Sequence, residues 1–177
     1  MDYILQTLRK VIMSQTQDGT PTFQSDTPIK GDTPEEIQHK LIVDHYRNPR
    51  NSRSLTNPDI QTTEANPFCG DETTIQVRIN GDILQEIGIQ AVGCSICQAS
   101  LSMLSEAVQN LTLTGAASLS STFQRMMLGE SLNSKEILLL GDLASLAVVR
   151  KHPVRIKCAL LAWVALDLGL SNYQTNT

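Results

Sequence analysis

The spacing of apolar residues predicts that the globular part of this chain opens with a helix. Thr33 can serve as the N-cap, Pro34 suits the first helical position, and Glu36 stands three residues after the cap as in a capping box. Apolar residues at helical spacing continue the pattern to about Arg47. The sequence Asn48-Pro49 then ends the predicted helix, because proline disfavours helical geometry in the residue before it.

The pattern next changes to the alternation that is typical of half-buried strands. Apolar and polar residues alternate over Thr73–Ile79, and Asn80-Gly81 follows as a strong hairpin-turn signal. Ile83–Val92 is the predicted return strand, and the polar stretch Asp59–Glu64 is a weaker strand before the pair. Together these segments predict a small three-stranded antiparallel sheet.

After Gly93 the apolar spacing becomes helical again. Gly129 and Gly169 are predicted to end the second and fourth of the helices that follow. The predicted helices are Cys94–Gln109, Thr114–Leu128, Asp142–Val149 and Pro153–Leu168. A sheet formed by consecutive strands, with several helices packed against it, places the chain in the α+β class.

Residues 1–33 differ in composition from the rest of the chain. Residues 14–32 are rich in Gln, Thr, Ser, Asp, Pro and Gly, which bury little surface and predict a flexible N-terminal extension. Apolar residues at near-helical spacing precede this stretch at Ile4, Leu5, Leu8, Val11 and Ile12. A flexible tail is favoured over a docking helix, and residues 34–171 form the predicted domain.

Charge and composition exclude several classes of function. The net charge of −4 and the lack of a basic run give no electrostatic basis for binding nucleic acid or acidic lipid surfaces. No apolar segment approaches the roughly 18 residues that a membrane span needs. No secretory signal is evident at the N-terminus, so we expect a cytoplasmic protein whose cysteines act as ligands or nucleophiles rather than in disulfides.

Three of the four cysteines stand where strands or helices are predicted to begin or end. Cys69 lies in Asn66-Pro67-Phe68-Cys69-Gly70-Asp71, Cys94 follows Gly93 at a strand-to-helix junction, and Cys158 opens the last helix. With Asp71 they provide three thiolates and one carboxylate. Such a set can fill a tetrahedral zinc site or hold an iron–sulfur cluster.

Some of these residues allow a second interpretation. Asp71 can ligate a metal, or it can order its loop through an Asx-type hydrogen bond to the backbone. Cys97 could form a redox or metal pair with Cys94, but a small packing residue one helical turn later is the favoured interpretation. For the histidines His39, His45 and His152, we expect structural or surface roles.

Four segments of this chain resemble the iron–sulfur scaffold family of IscU, SufU and the NifU N-terminal domain. They are Val43–Asn51, Asn66–Asp71, Gly93–Ile96 and Arg155–Cys158, and the resemblance extends over about residues 34–170. The long interval between Cys94 and Cys158 is similar to the SufU type. Lys157 also stands where the IscU branch has a histidine, and Lys151–Arg155 replaces the chaperone-binding segment of that branch.

The resemblance implies an NifU-like α+β fold in which Cys69, Asp71, Cys94 and Cys158 hold zinc or a transient iron–sulfur cluster. Cys69 would accept persulfide sulfur from a cysteine desulfurase of the SufS type, after its release from zinc. The alternative is a non-enzymatic scaffold that assembles a 2Fe-2S cluster and passes it to apo iron–sulfur proteins or other Suf components. A purely structural zinc domain is a weaker alternative, because structural sites rarely combine accessible loop cysteines with an aspartate ligand.

Overall fold

The predicted α+β class is confirmed by the computed structural model, which describes residues 33–67 and 69–176. The helices are α1 (Pro34–Arg47), α2 (Ser95–Val108), α3 (Leu113–Leu128), α4 (Ser134–Leu140) and α5 (Pro153–Asn176). The strands are β1 (Ile60–Asn66), β2 (Asp71–Asn80) and β3 (Ile83–Val92), and a 3-10 helix spans Gly141–Lys151. The predicted N-terminal extension lies outside the described residues, except for Thr33. Within the described ranges, no helix has the length and apolar character needed to cross a membrane.

The three strands form an antiparallel sheet in the order β1-β2-β3. Asn66 pairs with Asp71 where β1 turns into β2, and Glu72 pairs with Val92 near the end of β3. The β1–β2 turn and the junction between β3 and α2 therefore meet at one end of the sheet. This end holds three of the candidate site residues.

Alternation along β2 directs one face of the sheet towards the helices. Asp71, Thr73, Ile75 and Val77 are buried, whereas the residues between them are exposed or half-buried. The two-residue period of a strand thus places Asp71 on the same face as the apolar core. Its carboxylate faces the helices rather than solvent.

The buried Trp163 side chain joins three of the helices that cover this face, because it extends from α5 and contacts both α3 and α2. The Trp163 ring of α5 stacks on Phe123 of α3 with ring centroids 4.3 Å apart, and its indole nitrogen donates to Ser100 Oγ of α2 at 3.3 Å. Ser100 in turn donates to the Ala159 carbonyl at 2.7 Å. This arrangement positions the beginning of α5, where Cys158 lies, against the beginning of α2.

The sequence-based boundaries fail at three places in the second half of the chain, and two of them concern the segments before the last helix. Ser134–Leu140 forms a helix that was not predicted, although Asn133 and Glu136 complete a capping box at its start. The predicted helix Asp142–Val149 is a longer 3-10 helix, Gly141–Lys151. The first segment has only about two turns, and the second has 3-10 geometry, whose period is too close to that of an α-helix for the apolar spacing to tell them apart.

Gly169 does not end the last helix as predicted, because α5 continues through it to Asn176. A Cβ at Gly169 would lie 2.5 Å from Ile60 Cγ2 and 2.8 Å from Thr62 Oγ1. The glycine therefore permits α5 to approach β1 closely, which is a packing requirement that local sequence does not reveal.

Replacing Gly169 with Ala should destabilise the protein despite the better helix propensity of alanine. We expect the steric penalty of about 1–3 kcal/mol to exceed the propensity gain of roughly 1 kcal/mol. Urea unfolding of Gly169→Ala, Ile60→Ala and the double variant measures the effect. A penalty that is the same size with and without the Ile60 side chain would contradict the proposed contact.

His45 is buried where α1 packs on α2, so the expectation of a structural or surface role is met by a structural contact. Its Nδ1 lies 2.9 Å from Ser102 Oγ, which also accepts the Arg50 backbone N–H at 2.8 Å. Burial and the nearby Arg50 guanidinium lower the His45 pKa from 6.5 to about 4, against the opposing charge of Asp44. His45 is therefore neutral at pH 7, and Glu106, 3.7 Å from its Nε2, does not form an ion pair with it.

Acidification should destabilise the fold through His45. Because the folded pKa is below the unfolded value, the unfolded chain binds the extra proton between about pH 6.5 and pH 4, and stability falls across this window. The loss from about pH 7 to pH 5 should be on the order of 2 kcal/mol. His45→Gln should flatten this part of the profile, as measured by chemical unfolding at each pH. His39→Gln, which changes an exposed histidine of the same helix, should leave the profile unchanged, and a similar effect of both variants would contradict the assignment to His45.

Candidate metal centre

Cys69 lies in the tight turn that connects β1 to β2. The backbone N–H groups of Cys69 and Gly70 both point to the Asn66 carbonyl, at 3.3 and 2.9 Å, and Gly70 has a φ of 73°. The left-handed conformation is favourable for glycine because it has no Cβ. The turn leaves the Cys69 side chain exposed at this end of the sheet.

Asp71 begins β2 and is almost completely buried, with 2% of its surface exposed. Its Oδ1 accepts the Cys94 backbone N–H at 2.9 Å, and its Oδ2 lies 3.4 Å from Cys94 Sγ. Burial favours a higher pKa, but hydrogen bonds from the Cys158 thiol, the Cys94 backbone and the other thiols outweigh it, and the pKa of Asp71 is lowered. The hydrogen bond to backbone is thus not the local Asx type, since it reaches a residue on another element.

Cys94 is the N-cap of α2, but its side chain makes no capping hydrogen bond. The preceding Gly93 has a φ of 155°, and a Cβ there would lie 2.6 Å from Asp71 Oδ1. A side chain at this position would displace the carboxylate. Gly93 is therefore a supporting residue of the site that its sequence position alone did not identify.

Cys158 approaches from the first turns of α5 and is 2% exposed. Its Sγ lies 4.0 Å from Cys69 Sγ, and burial followed by hydrogen bonding to Asp71 and Cys94 raises the Cys158 pKa. Arg155 is exposed one turn earlier on α5, and its side chain makes a hydrogen bond with the Cys94 thiol that raises the Arg155 pKa. Arg155 thus places a positive charge beside the thiols.

Cys97 lies in the core behind the candidate ligands. It is completely buried and forms a small apolar cluster with Cys158 and Leu161, against which Cys94 and Ile96 pack. Burial, together with the negative charges of Asp71 and the neighbouring thiolates, raises its pKa from 9.0 to about 12. The environment agrees with the predicted packing role under reducing conditions.

The structure thus brings together three of the four predicted ligands. Ligand atoms of Cys69, Asp71 and Cys158 all lie within 4.8 Å of one another, as a metal-binding group requires. Cys94 lies at the edge of this group, linked to it through Asp71. None of the three histidines was predicted to belong to the site, and His45 lies in the core.

Comparison with known proteins assigns this arrangement to a family. The model of the NifU-like N-terminal domain matches residues 37–177. The chain belongs to this family. The fold supports the assignment, because the three-stranded sheet, the helices and the cysteine positions all lie within the matched region.

Individual relatives show the same likeness over most of their length. The chain is 38% identical over 135 residues to the zinc-dependent sulfurtransferase SufU of Bacillus subtilis, covering 76% of this chain and 90% of that protein. It is 35% identical over 127 residues to the iron–sulfur cluster assembly scaffold protein IscU of Streptococcus pyogenes, covering 71% and 77%.

A solved structure gives the corresponding result for the fold. The crystal structure described as a putative iron–sulfur cluster assembly scaffold protein for the SUF system, from Fervidobacterium islandicum, superposes with a TM-score of 0.69 at 28% identity. The superposition covers 73% of this chain and 93% of that one.

Replacing Gly93 with Ala should weaken metal binding by displacing Asp71. The new Cβ would overlap the carboxylate, and changes to groups that orient metal ligands typically reduce affinity about 10- to 100-fold. Competition with a chromophoric zinc chelator measures the change. Gly81→Ala is the matched control, because Gly81 also has a positive φ but a Cβ there would meet no other heavy atom within 4 Å. Equal zinc affinity in both variants would contradict the supporting role of Gly93.

Proposed function

We propose that this protein takes part in iron–sulfur cluster assembly by accepting persulfide sulfur from a cysteine desulfurase at a zinc site of Cys69, Asp71, Cys94 and Cys158. The observation that carries this proposal is the asymmetry of the site. The Cys69 thiol is exposed on a turn, whereas Asp71 and Cys158 are buried beside it. An accessible nucleophile next to an anchored set of ligands suits transfer chemistry better than a closed structural site.

The spacing of the ligand atoms supports zinc. With Zn–S distances of about 2.3 Å and Zn–O of about 2.0 Å, a tetrahedron has edges of roughly 3.8 Å between sulfurs and roughly 3.5 Å between sulfur and oxygen. Cys69 Sγ lies 4.0 Å from Cys158 Sγ, and Cys94 Sγ lies 3.4 Å from Asp71 Oδ2. These two distances have nearly the size that the ion needs. Cys94 Sγ lies outside the group of ligand atoms that are all within 4.8 Å of one another, so it would move towards the other two sulfurs on binding. Bound zinc would hold the three sulfurs as thiolates.

The proposed reaction is a thiol exchange at Cys69. Once released from zinc, the Cys69 thiolate would attack the outer sulfur of the desulfurase persulfide, and a bond would form between these two sulfurs as the original sulfur–sulfur bond breaks. The desulfurase cysteine leaves as a thiolate, and Cys69 carries the transferred sulfur as a persulfide. Arg155 beside Cys94 and the buried Asp71 keep the remaining groups in place during the exchange.

A groove beside the site supports a protein as the sulfur donor. It has a volume of about 730 Å³ and is bounded by α1, the start of α2, the 3-10 helix and the start of α5. Apolar side chains such as Ile96 and Val154 line it, together with the basic side chains Lys151 and Arg155 and the acidic side chain of Glu35. This groove suits an apolar protein segment that carries some negative charge. Such a segment would hold the donor protein beside the site so that its persulfide reaches Cys69.

Lys157 favours sulfur acceptance over cluster scaffolding. It immediately precedes Cys158 and is exposed, and a protonated ammonium group cannot ligate a metal. The site therefore offers three thiolates and one carboxylate without a histidine ligand next to the last cysteine. Zinc, rather than a cluster, is expected in the protein as purified.

Replacing Cys69 with Ser should abolish sulfur acceptance while leaving the fold almost unchanged. A serine hydroxyl is a poor nucleophile at neutral pH, and the Cys69 side chain is exposed on a turn. The measurement is transfer of radiolabelled persulfide sulfur from a cysteine desulfurase, followed on gels without reductant. Circular dichroism and thermal unfolding report on the fold.

Cys97→Ala is the matched control, because it also removes a thiol near the site. Its metal content and sulfur acceptance should remain, at a stability cost of at most about 1–2 kcal/mol. If Cys69→Ser still accepts labelled sulfur, Cys69 is not the acceptor. If the unmodified protein as purified contains an iron–sulfur cluster and no zinc, the scaffold alternative is favoured.

A further inference from the structure

The fourth thiol, Cys97, has no part in the proposed sulfur transfer, yet it belongs to the same group of side chains. It is completely buried and packs with Cys158 and Leu161 in one small cluster. Cys94 packs against this cluster. Four free thiols therefore converge on one end of the sheet. In the absence of metal, such a group can form disulfides.

Two pairs can be drawn among these four thiols, and Cys97 also packs against Cys158. Cys69 and Cys158 are one pair, with sulfurs 4.0 Å apart. Cys94 and Cys97 are the other, since Cys94 is the N-cap of α2 and Cys97 is the third residue of the helix. Side chains at these two positions lie on the same side of the first turn, which is the relation that a capping box uses.

Closing a bond between Cys94 and Cys97 requires only a local movement. A disulfide needs Cβ atoms roughly 3.5–4.5 Å apart, and Cys94, whose backbone is extended at the N-cap, precedes the first turn that carries Cys97. The Cys94 side chain makes no capping hydrogen bond, so it can rotate towards Cys97 while its backbone N–H stays bound to Asp71. The loss of its contact with Asp71 is the main cost.

We propose that Cys94 and Cys97 form a reversible disulfide when the site holds no metal and a small disulfide such as oxidised glutathione is present. This proposal rests on the proposed function only in taking Cys94 as a metal ligand. The half-buried Cys94 reacts first and forms a mixed disulfide with one glutathione, which releases the other as a thiol. Cys97 then attacks Cys94 Sγ, gives up its proton, and releases the second glutathione as a thiol.

The bond would convert the site into an inactive form that reduction restores. It removes the Cys94 sulfur from the ligand set, so that zinc cannot bind with full coordination until a dithiol reduces the bond. Bound zinc opposes the reaction, because a coordinated thiolate is not available for exchange. The disulfide is thus a redox-sensitive modification of the empty site that depends on Cys97.

Tryptic peptides of this chain distinguish the possible pairings. Cleavage after lysine and arginine places Cys69 in the peptide 54–78, both Cys94 and Cys97 in 79–125, and Cys158 in 158–177. A bond between Cys94 and Cys97 stays within one peptide and makes it lighter by two hydrogen atoms. Any bond from these two residues to Cys69 or Cys158 joins two peptides.

The experiment treats metal-free, reduced protein with oxidised glutathione, alkylates the remaining thiols, and maps the peptides by mass spectrometry. We expect 79–125 to appear without alkylation or glutathione, both in the unmodified protein and in Cys69→Ser, where the pair with Cys158 cannot form. In Cys97→Ala and Cys97→Ser, Cys94 should carry glutathione instead. Zinc-loaded protein should react on the order of tenfold more slowly, since only free thiolate takes part.

Alkylated Cys97 beside a glutathione-bound Cys94, in folded unmodified protein, would overturn the proposal. A bond that joins 79–125 to either of the other peptides would also overturn it. Zinc titration of the reduced protein tests the proposed function separately. If reduced protein binds no zinc but still forms the bond between Cys94 and Cys97, the proposed function fails and the disulfide stands.

Discussion

The Asp71 carboxylate is the contact on which the geometry of the site depends. In α1 and α4 the carboxylate of the third helical residue accepts the N-cap backbone N–H, at 2.6 Å from Glu36 and 2.8 Å from Glu136. The third residue of α2 is Cys97, which has no carboxylate. Asp71 of the sheet supplies it instead, at 2.9 Å from the Cys94 N–H. The start of α2 is therefore fixed to β2 by a long-range version of a common local cap.

This contact also accounts for the electrostatics of the site. A carboxylate with 2% exposure would be costly to keep ionised without partners, but the thiols and the Cys94 N–H all donate to it. The helix N-terminus adds a favourable partial positive charge. The absence of a side chain at Gly93 leaves the space that the carboxylate occupies. The result is a cluster of potential anions in which Asp71 and Cys158 are buried, which suits a divalent cation.

Features that depend on local sequence could be predicted, whereas those that depend on packing could not. Strand β3 has the predicted bounds Ile83–Val92, and the cap at Thr33 forms as expected, because hairpin and capping signals act over a few residues. Gly169 carries the same local signal as a helix-ending glycine, and only the position of Ile60 and Thr62 shows that it serves close packing. The burial of His45 likewise depends on Ser102, 57 residues away in the chain.

The candidate ligands were predictable for a different reason, since their residue types restrict the chemistry wherever the fold places them. The sequence also predicted an accessible loop cysteine, but it did not show which contacts hold the other ligands. Cys158 belongs to a helix that packs into the core and the Cys94 backbone is held by Asp71, whereas Cys69 lies on a turn held by two backbone hydrogen bonds to Asn66. Moving Cys69 therefore disturbs few contacts, while moving Cys158 would disturb the packing of α5 on α2. One ligand can leave and react while the others stay in place, which is the property that a sulfur acceptor requires of a metal site.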